Sequence, residues 1–146
     1  MKVVLQRVKE ASVLVKGKVA GRIKKGGLLL VGVGKEDTES KAREMAGQIS
    51  NLRFMPDNEG KMNRSLLDAG GEALVVSQFT LYADTSRGRR PGFHQAEEPG
   101  RAEEIYDFFV NCLRDAGLRV QTGEFGAYME VRLANNGPVT FILEND

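Results

Sequence analysis

The chain is poor in the residues that build metal and disulfide sites: its 146 residues include one cysteine, Cys112, one histidine, His94, and no tryptophan. A lone thiol cannot close an internal disulfide, and one imidazole with one thiol cannot supply the soft ligands of a structural zinc site, which is excluded; no sequence feature calls for another metal or a cofactor, and none is expected. Long apolar runs are missing as well. The longest, Leu28 to Val33 with Gly32 inside it, falls far short of the roughly 20 residues that cross a bilayer as a helix. The opening Met1-Lys2-Val3-Val4-Leu5-Gln6-Arg7 alternates like a strand and lacks the apolar stretch and small-residue cleavage site of a secretory signal, so a cytoplasmic location is expected. Charge of one sign is also lacking. Lys and Arg number 21 against 20 Asp and Glu, a net charge of +1, whereas proteins that hold nucleic acid chiefly by neutralising phosphates carry a strong basic excess. Any RNA contact must therefore be local. Its candidate place is the loop Arg87-Gly88-Arg89-Arg90-Pro91-Gly92, which on charge alone reads as a solvated turn.

What is present describes an ordinary folded domain. Hydrophobic residues at 41% and charged residues at 28% suit one domain spanning residues 1–146, long enough for a single substantial core. Residues 2–8 and 11–16 alternate apolar and polar positions, and Lys16-Gly17-Lys18 leads into another short run at 19–23, as in an antiparallel meander. The continuous apolar run 28–33 predicts a strand buried on both faces. Asp37 or Thr38 can cap a helix in which Ala42, Met45, Ala46 and Ile49 recur at helical spacing. Pro56-Asp57-Asn58-Glu59-Gly60 predicts a hairpin turn, and residues 72–79 a further strand. Pro99 can open a second helix that puts Ile105, Phe108, Phe109, Cys112 and Leu113 on one face and ends at Gly117. The C-terminal part alternates from Tyr128 to Leu133, turns at Asn135-Asn136-Gly137-Pro138 and returns through Leu143. The expected fold is α/β: a mostly antiparallel, barrel-like sheet with two packed helices.

Catalytic sets with well-known spacing are absent: there is no G-x-S-x-G elbow, Walker-type phosphate loop or H-E-x-x-H. Cys112 reads as a small core residue, since no second cysteine or histidine has a sequence reason to lie beside it. Two short segments stand out. Ser77-Gln78-Phe79-Thr80 closes an apolar strand, and strand alternation would put Ser77 and Phe79 on one face and Gln78 and Thr80 on the other. The plain alternative is a strand terminus whose hydroxyls satisfy nearby backbone. Asn136-Gly137-Pro138-Val139-Thr140 reads most simply as a turn, because cis geometry occurs in only about 5–6% of X-Pro bonds.

Together these segments resemble the paired signatures S-Q-F-T and N-x-P-x-T of the D-aminoacyl-tRNA deacylase family, in the same order. The likeness extends to Gln6-Arg7-Val8, Gly60-Lys61-Met62-Asn63, Gly88-Arg89-Arg90-Pro91 and Phe125-Gly126-Ala127-Tyr128-Met129, and so along nearly the whole chain. It implies the compact α/β fold of that family, a homodimer, and an aminoacyl-tRNA substrate held by its 3′-terminal adenosine and amino acid. It also implies active sites that join the Ser77–Thr80 segment of one subunit to a cis Gly137-Pro138 of the other.

By the same resemblance, the oxygens of Gly137 and Pro138 would hold the substrate ammonium and reject L side chains by clash, letting glycine and many D-residues pass. Ser77 and Gln78 would contact the substrate, and Asn136 and Thr140 complete the second signature. The backbone N–H groups at Phe79 and Thr80 would form an oxyanion hole. Water attack assisted by the adenosine 2′-hydroxyl is favoured over Thr80 as a nucleophile, because no neighbouring base activates Thr80. Phe79 offers a face beside the adenosine, Arg7 would hold the Gly137 region, and Phe125 and Met129 would line the pocket. Core packing competes for the aromatics and Met129, as surface charge does for Arg7. Two other functions remain open: an RNA-binding module built on loop 87–90, and a small-molecule esterase using Thr80 or Ser86 with His94.

Overall fold

Strand β1 (Lys2–Val15) is long enough to pair with three others. It turns at Lys16-Gly17 into antiparallel β2 (Lys18–Ile23), pairs antiparallel with β3 (Gly26–Gly32), and along its opposite edge pairs antiparallel with β8 (Glu130–Glu144). Both turn residues have positive φ, 50° at Lys16 and 77° at Gly17, as a two-residue type I′ hairpin requires. The computed structural model describes residues 1–146.

As its unbroken apolar run predicts, β3 is almost wholly buried. It lies parallel to β6 (Glu72–Ser77), and β6 lies parallel to β7 (Arg119–Thr122). The antiparallel expectation thus holds around β1, while the β3–β6–β7 half is parallel. The reason is connectivity: parallel neighbours need a crossover, and α1 (Glu39–Asn51) with α2 (Leu66–Ala69), then α3 (Pro99–Asp115), provide the two crossovers. The sheet nearly closes, since a Cβ on Gly21 of β2 would come within 2.6 Å of the Thr122 carbonyl oxygen of β7. Val8, Val13, Ile23, Leu28, Leu74 and Val76 pack together as one core cluster; Leu5, Leu29, Ile49, Phe109 and Leu113 belong to the larger cluster that includes α1 and α3.

The two long helices occupy the expected segments. Thr38 is the cap of α1, its hydroxyl accepting from the Lys41 N–H, whereas Asp37 is buried and otherwise engaged. Pro99 opens α3 as predicted. The third helix, α2, is a single turn with a reciprocal Ser65–Asp68 capping box. The turn after β4 (Met55–Pro56), leading to β5 (Met62–Arg64), is organised by Asp57, whose carboxylate accepts from the N–H of Glu59 and Lys61 and from the Asn63 amide.

Two local expectations are overturned. The C-terminal segment is no hairpin: β8 is one strand, and both halves of it pair with β1. Gln6 faces Thr140 while Val8 faces Asn135, so residues 136–139 bulge out opposite Arg7. The Asn-Gly-Pro sequence interrupts the ladder without reversing the chain, because β1 is long enough to template both halves. Residues 77–80 do not alternate as a strand either. β6 ends at Ser77, and Phe79–Tyr82 form a 3₁₀ turn.

Candidate active site

Parallel β3 and β6 bring their C-terminal ends to the same edge of the sheet, where Ser77 pairs with Val31 and the Gln78 N–H donates to the Val31 carbonyl at 2.8 Å. The chain then leaves the sheet, with Gln78 at φ −146° and ψ 79°. The first bond of the 3₁₀ turn runs from the Leu81 N–H to the Gln78 carbonyl at 3.3 Å, so the turn itself uses neither the Phe79 nor the Thr80 N–H. Two backbone donors therefore lead a tight turn at the rim of a cavity.

That cavity, of about 590 Å³, is lined among others by Ser77, Gln78, Phe79, Phe93, Phe125 and Met129. Phe79 is 58% exposed and meets Phe93 edge to face at 5.0 Å. Phe125 leans on buried Tyr106, whose hydroxyl donates to the Val75 carbonyl at 2.9 Å and so fixes α3 to β6 beneath the site. Phe93 has no motif signal: it is an isolated aromatic in a polar loop, brought to the site by the 83–96 excursion and the Asp84–Gly92 bridge. Apolar lining with few polar groups and two free N–H donors suits an ester whose carbonyl must become anionic.

Thr80 is exposed, and its hydroxyl oxygen accepts from the Gln78 side-chain amide. An amide in either orientation is no base, and no carboxylate or imidazole bonds this hydroxyl. The His94 grouping is not a triad. Asp84 sits between its partners, accepting from the Ser86 hydroxyl at 2.6 Å and lying 3.8 Å from His94 Nε2, with no Ser86–His94 bond. The Ser86 hydroxyl, then its N–H, hold the Asp84 carboxyl below the usual range. Burial pushes the Cys112 thiol up, the reverse of what a nucleophile needs. No group of three or more His, Cys, Asp or Glu side chains converges to hold a metal ion.

The second signature lies elsewhere on the chain. Gly137-Pro138 is cis, and both residues are exposed on the β8 bulge, Gly137 at φ 135°. Arg7 straps this bulge to the body: its Nε donates to the Asn136 carbonyl at 3.0 Å and one terminal nitrogen to the Phe54 carbonyl at 2.9 Å. The bonded carbonyl is thus that of Asn136, one residue before Gly137. Thr140 stands at the far end of the bulge, its hydroxyl 3.4 Å from the Gln6 amide. None of Arg7, Asn136, Gly137, Pro138 or Thr140 lines the cavity of its own chain.

Comparison with known proteins places the chain in a family. The D-Tyr-tRNA(Tyr) deacylase family model matches residues 4–144. A D-aminoacyl-tRNA deacylase of Thermosipho melanesiensis is 53% identical over 146 residues, 99% of this chain and 97% of the relative. One from Brevibacillus brevis is 55% identical over 145 residues, 99% of this chain and all of the relative. Among solved structures, a c-Myc DNA unwinding element binding protein superposes with TM-score 0.93 at 41% identity, covering 100% of this chain and 99% of that one. A probable eukaryotic D-amino acid tRNA deacylase, at 21% identity and TM-score 0.81 over 97% of each chain, shares the fold. With a family match over nearly its whole length and relatives more than half identical from end to end, the chain belongs to the D-Tyr-tRNA(Tyr) deacylase family.

Proposed function

We propose that this protein is a homodimeric hydrolase that cleaves the ester between tRNA and a D-amino acid or glycine. Each of its sites combines the Ser77–Thr80 segment of one protomer with the Gly137-Pro138 bulge of its partner. Family membership supports the deacylase activity. One observation carries the shared site: the cavity and the bulge bear the two family signatures, yet within one chain the bulge does not reach the cavity. The edge that carries the bulge is also unfinished, since β8 pairs with β1 on one side and with no strand on the other, and Ile142 on it is 76% exposed.

Chirality follows from geometry. Once ammonium and ester carbonyl are fixed, D- and L-residues differ in where the side chain projects. Main-chain oxygens of Gly137 and Pro138 holding the ammonium would drive an L side chain into backbone, whatever its chemistry. Glycine has nothing to clash and passes the same filter.

In the chemical step, water adds to the ester carbonyl and the bond to the ribose oxygen breaks as that oxygen takes up a proton. The Phe79 and Thr80 N–H groups stabilise the oxyanion, where losing one such donor costs about 2.7–4 kcal/mol. The adenosine 2′-hydroxyl assists the water, since the Thr80 hydroxyl has an amide as its partner and no base. Phe79 stacks on the adenine, a contact worth about 1–3 kcal/mol.

A panel of D-aminoacyl-tRNA, L-aminoacyl-tRNA, glycyl-tRNA and a free D-amino acid ester tests this reading. The expected result is hydrolysis of the D- and glycyl-tRNAs alone. Retention without cleavage would mark an RNA-binding module instead, and cleavage of the free ester that is lost in His94→Ala would mark a small-molecule esterase. Thr80→Ala should keep substantial turnover while a 2′-deoxy substrate loses it; a folded, substrate-binding but inactive Thr80→Ala would make Thr80 the nucleophile.

A further inference from the structure

We propose that Tyr82 is the positioning residue of this site: clamped between Gly32, Gly34 and Asp37, it fixes the Phe79–Tyr82 turn and so aims the two leading N–H groups. The inference rests on the reading of those N–H groups as the oxyanion hole. Tyr82 does not line the apolar cavity. It faces a separate polar cavity of about 520 Å³ whose lining includes Met1, Lys2, Asp37 and His94, so it acts on the reaction only through the turn.

Three observations make the clamp. A Cβ on Gly34 would lie 2.7 Å from Tyr82 Cζ and 2.8 Å from Cε1 and the hydroxyl oxygen. A Cβ on Gly32, two positions earlier, would lie 3.3 Å from Tyr82 Cδ2 and 3.1 Å from both the Gln78 carbonyl oxygen and Leu81 Cβ. Neither glycine has a positive φ, so neither is demanded by its own backbone; the missing side chains make room for the ring and the turn. Third, the ring is fixed at its tip and over its face. The hydroxyl donates to Asp37 Oδ2 at 3.3 Å, and the Lys2 ammonium sits 4.7 Å from the ring centroid.

Asp37 is itself held. It is 7% exposed, accepts from the Gly34 N–H at 2.6 Å, and pairs with the Met1 amino group at 2.5 Å. Burial first, and then the Asp37 charge, push the Tyr82 hydroxyl far up, which keeps it a neutral donor. The turn is thus pinned at its start by the Gln78–Val31 bond and at its end by Tyr82. Beyond Ala83, which bonds back to the Thr80 carbonyl, the chain enters the exposed arginine loop.

The test compares Tyr82→Phe, Tyr82→Ala, Gly34→Ala and the double variant Gly34→Ala/Tyr82→Ala for kcat and KM on D-aminoacyl-tRNA, with Tm as the folding control and Phe79→Ala alongside. Tyr82→Ala and Gly34→Ala should each lower kcat by about 10- to 100-fold, with KM within about threefold of wild type. Tyr82→Phe, which keeps the ring, should recover most of that loss. The double variant should be no worse than the poorer single one, because both act through one ring. Wild-type kcat in Tyr82→Ala, or losses that multiply in the double variant, would overturn the proposal. If Gly34→Ala does not fold, the Tyr82 pair decides alone, with equal kcat in Phe and Ala counting against the clamp. A normal Tyr82→Ala in a protein that hydrolyses D-aminoacyl-tRNA and is weakened by Phe79→Ala defeats the clamp and leaves the site; a wild type that leaves D-aminoacyl-tRNA intact defeats the site itself.

Discussion

Arg7 shows what a single residue contributes to this architecture. One guanidinium satisfies the carbonyls of Asn136 and Phe54, tying the β8 bulge to the segment before β4. In Arg7→Ala both bonds go, and a group left unsatisfied costs about 1–3 kcal/mol. The expected outcome is a Tm drop with a larger proportional loss of kcat, read by thermal denaturation and steady-state kinetics. Arg7→Lys should rescue little, because an ammonium cannot reproduce a planar fork aimed at two carbonyls. An Arg7→Ala protein with normal turnover would sever the bulge from the chemistry. At this scale the two signatures were legible in the sequence as residue strings, but their environment was not. Asp37 and Thr38 both read as possible helix caps; Thr38 takes that role and Asp37 instead holds Gly34, Tyr82 and the Met1 amino group. Phe93 and Tyr82 carry no local signal, since what matters for each is a partner that folding brings near.

Elements were read best where periodicity is strong and local. The buried β3, the amphipathic α1 and α3, the Lys16-Gly17 turn and the turn at Asp57 lie where hydrophobic spacing and turn chemistry put them. The errors came where tertiary pairing overrides local preference. Asn-Gly-Pro favours reversal, but β1 offers a ladder on both sides of it, so the strand continues through a bulge. Residues 77–80 stop alternating because the pairing with β3 ends at Val31–Ser77. The parallel β3–β6 pair gives a test of its own. A Cβ on Gly26 would fall 1.8 Å from the Glu72 carbonyl oxygen, a backbone atom that cannot move aside. Gly26→Ala should therefore destabilise the protein by at least the roughly 1–3 kcal/mol typical of overpacking, as measured by urea denaturation. A loss within about 0.5 kcal/mol would show that the β3–β6 spacing is looser than described.

For the whole molecule, the fold class followed from alternating elements and the lack of membrane-length or metal-binding patterns. The proposed assembly did not, because an interface between identical chains leaves no period in the sequence. It is proposed on an open β8 edge, an exposed Ile142, and two signature segments that one chain does not bring together. Complementation tests the shared site most directly. Phe79→Ala removes the face proposed to stack on the adenine, while Gly137→Val cripples the bulge, since Gly137 has φ 135° and a Cβ there would lie 2.8 Å from the Val139 nitrogen. The two variants are purified, mixed, dissociated and re-paired, and D-aminoacyl-tRNA hydrolysis is measured against each alone. If sites are shared across the dimer, every mixed dimer has one intact site, and the mixture should recover about one quarter of the wild-type rate for random pairing. If the mixture, with mixed dimers demonstrably formed, stays as inactive as its components, each site lies within one chain and the proposed shared site is wrong.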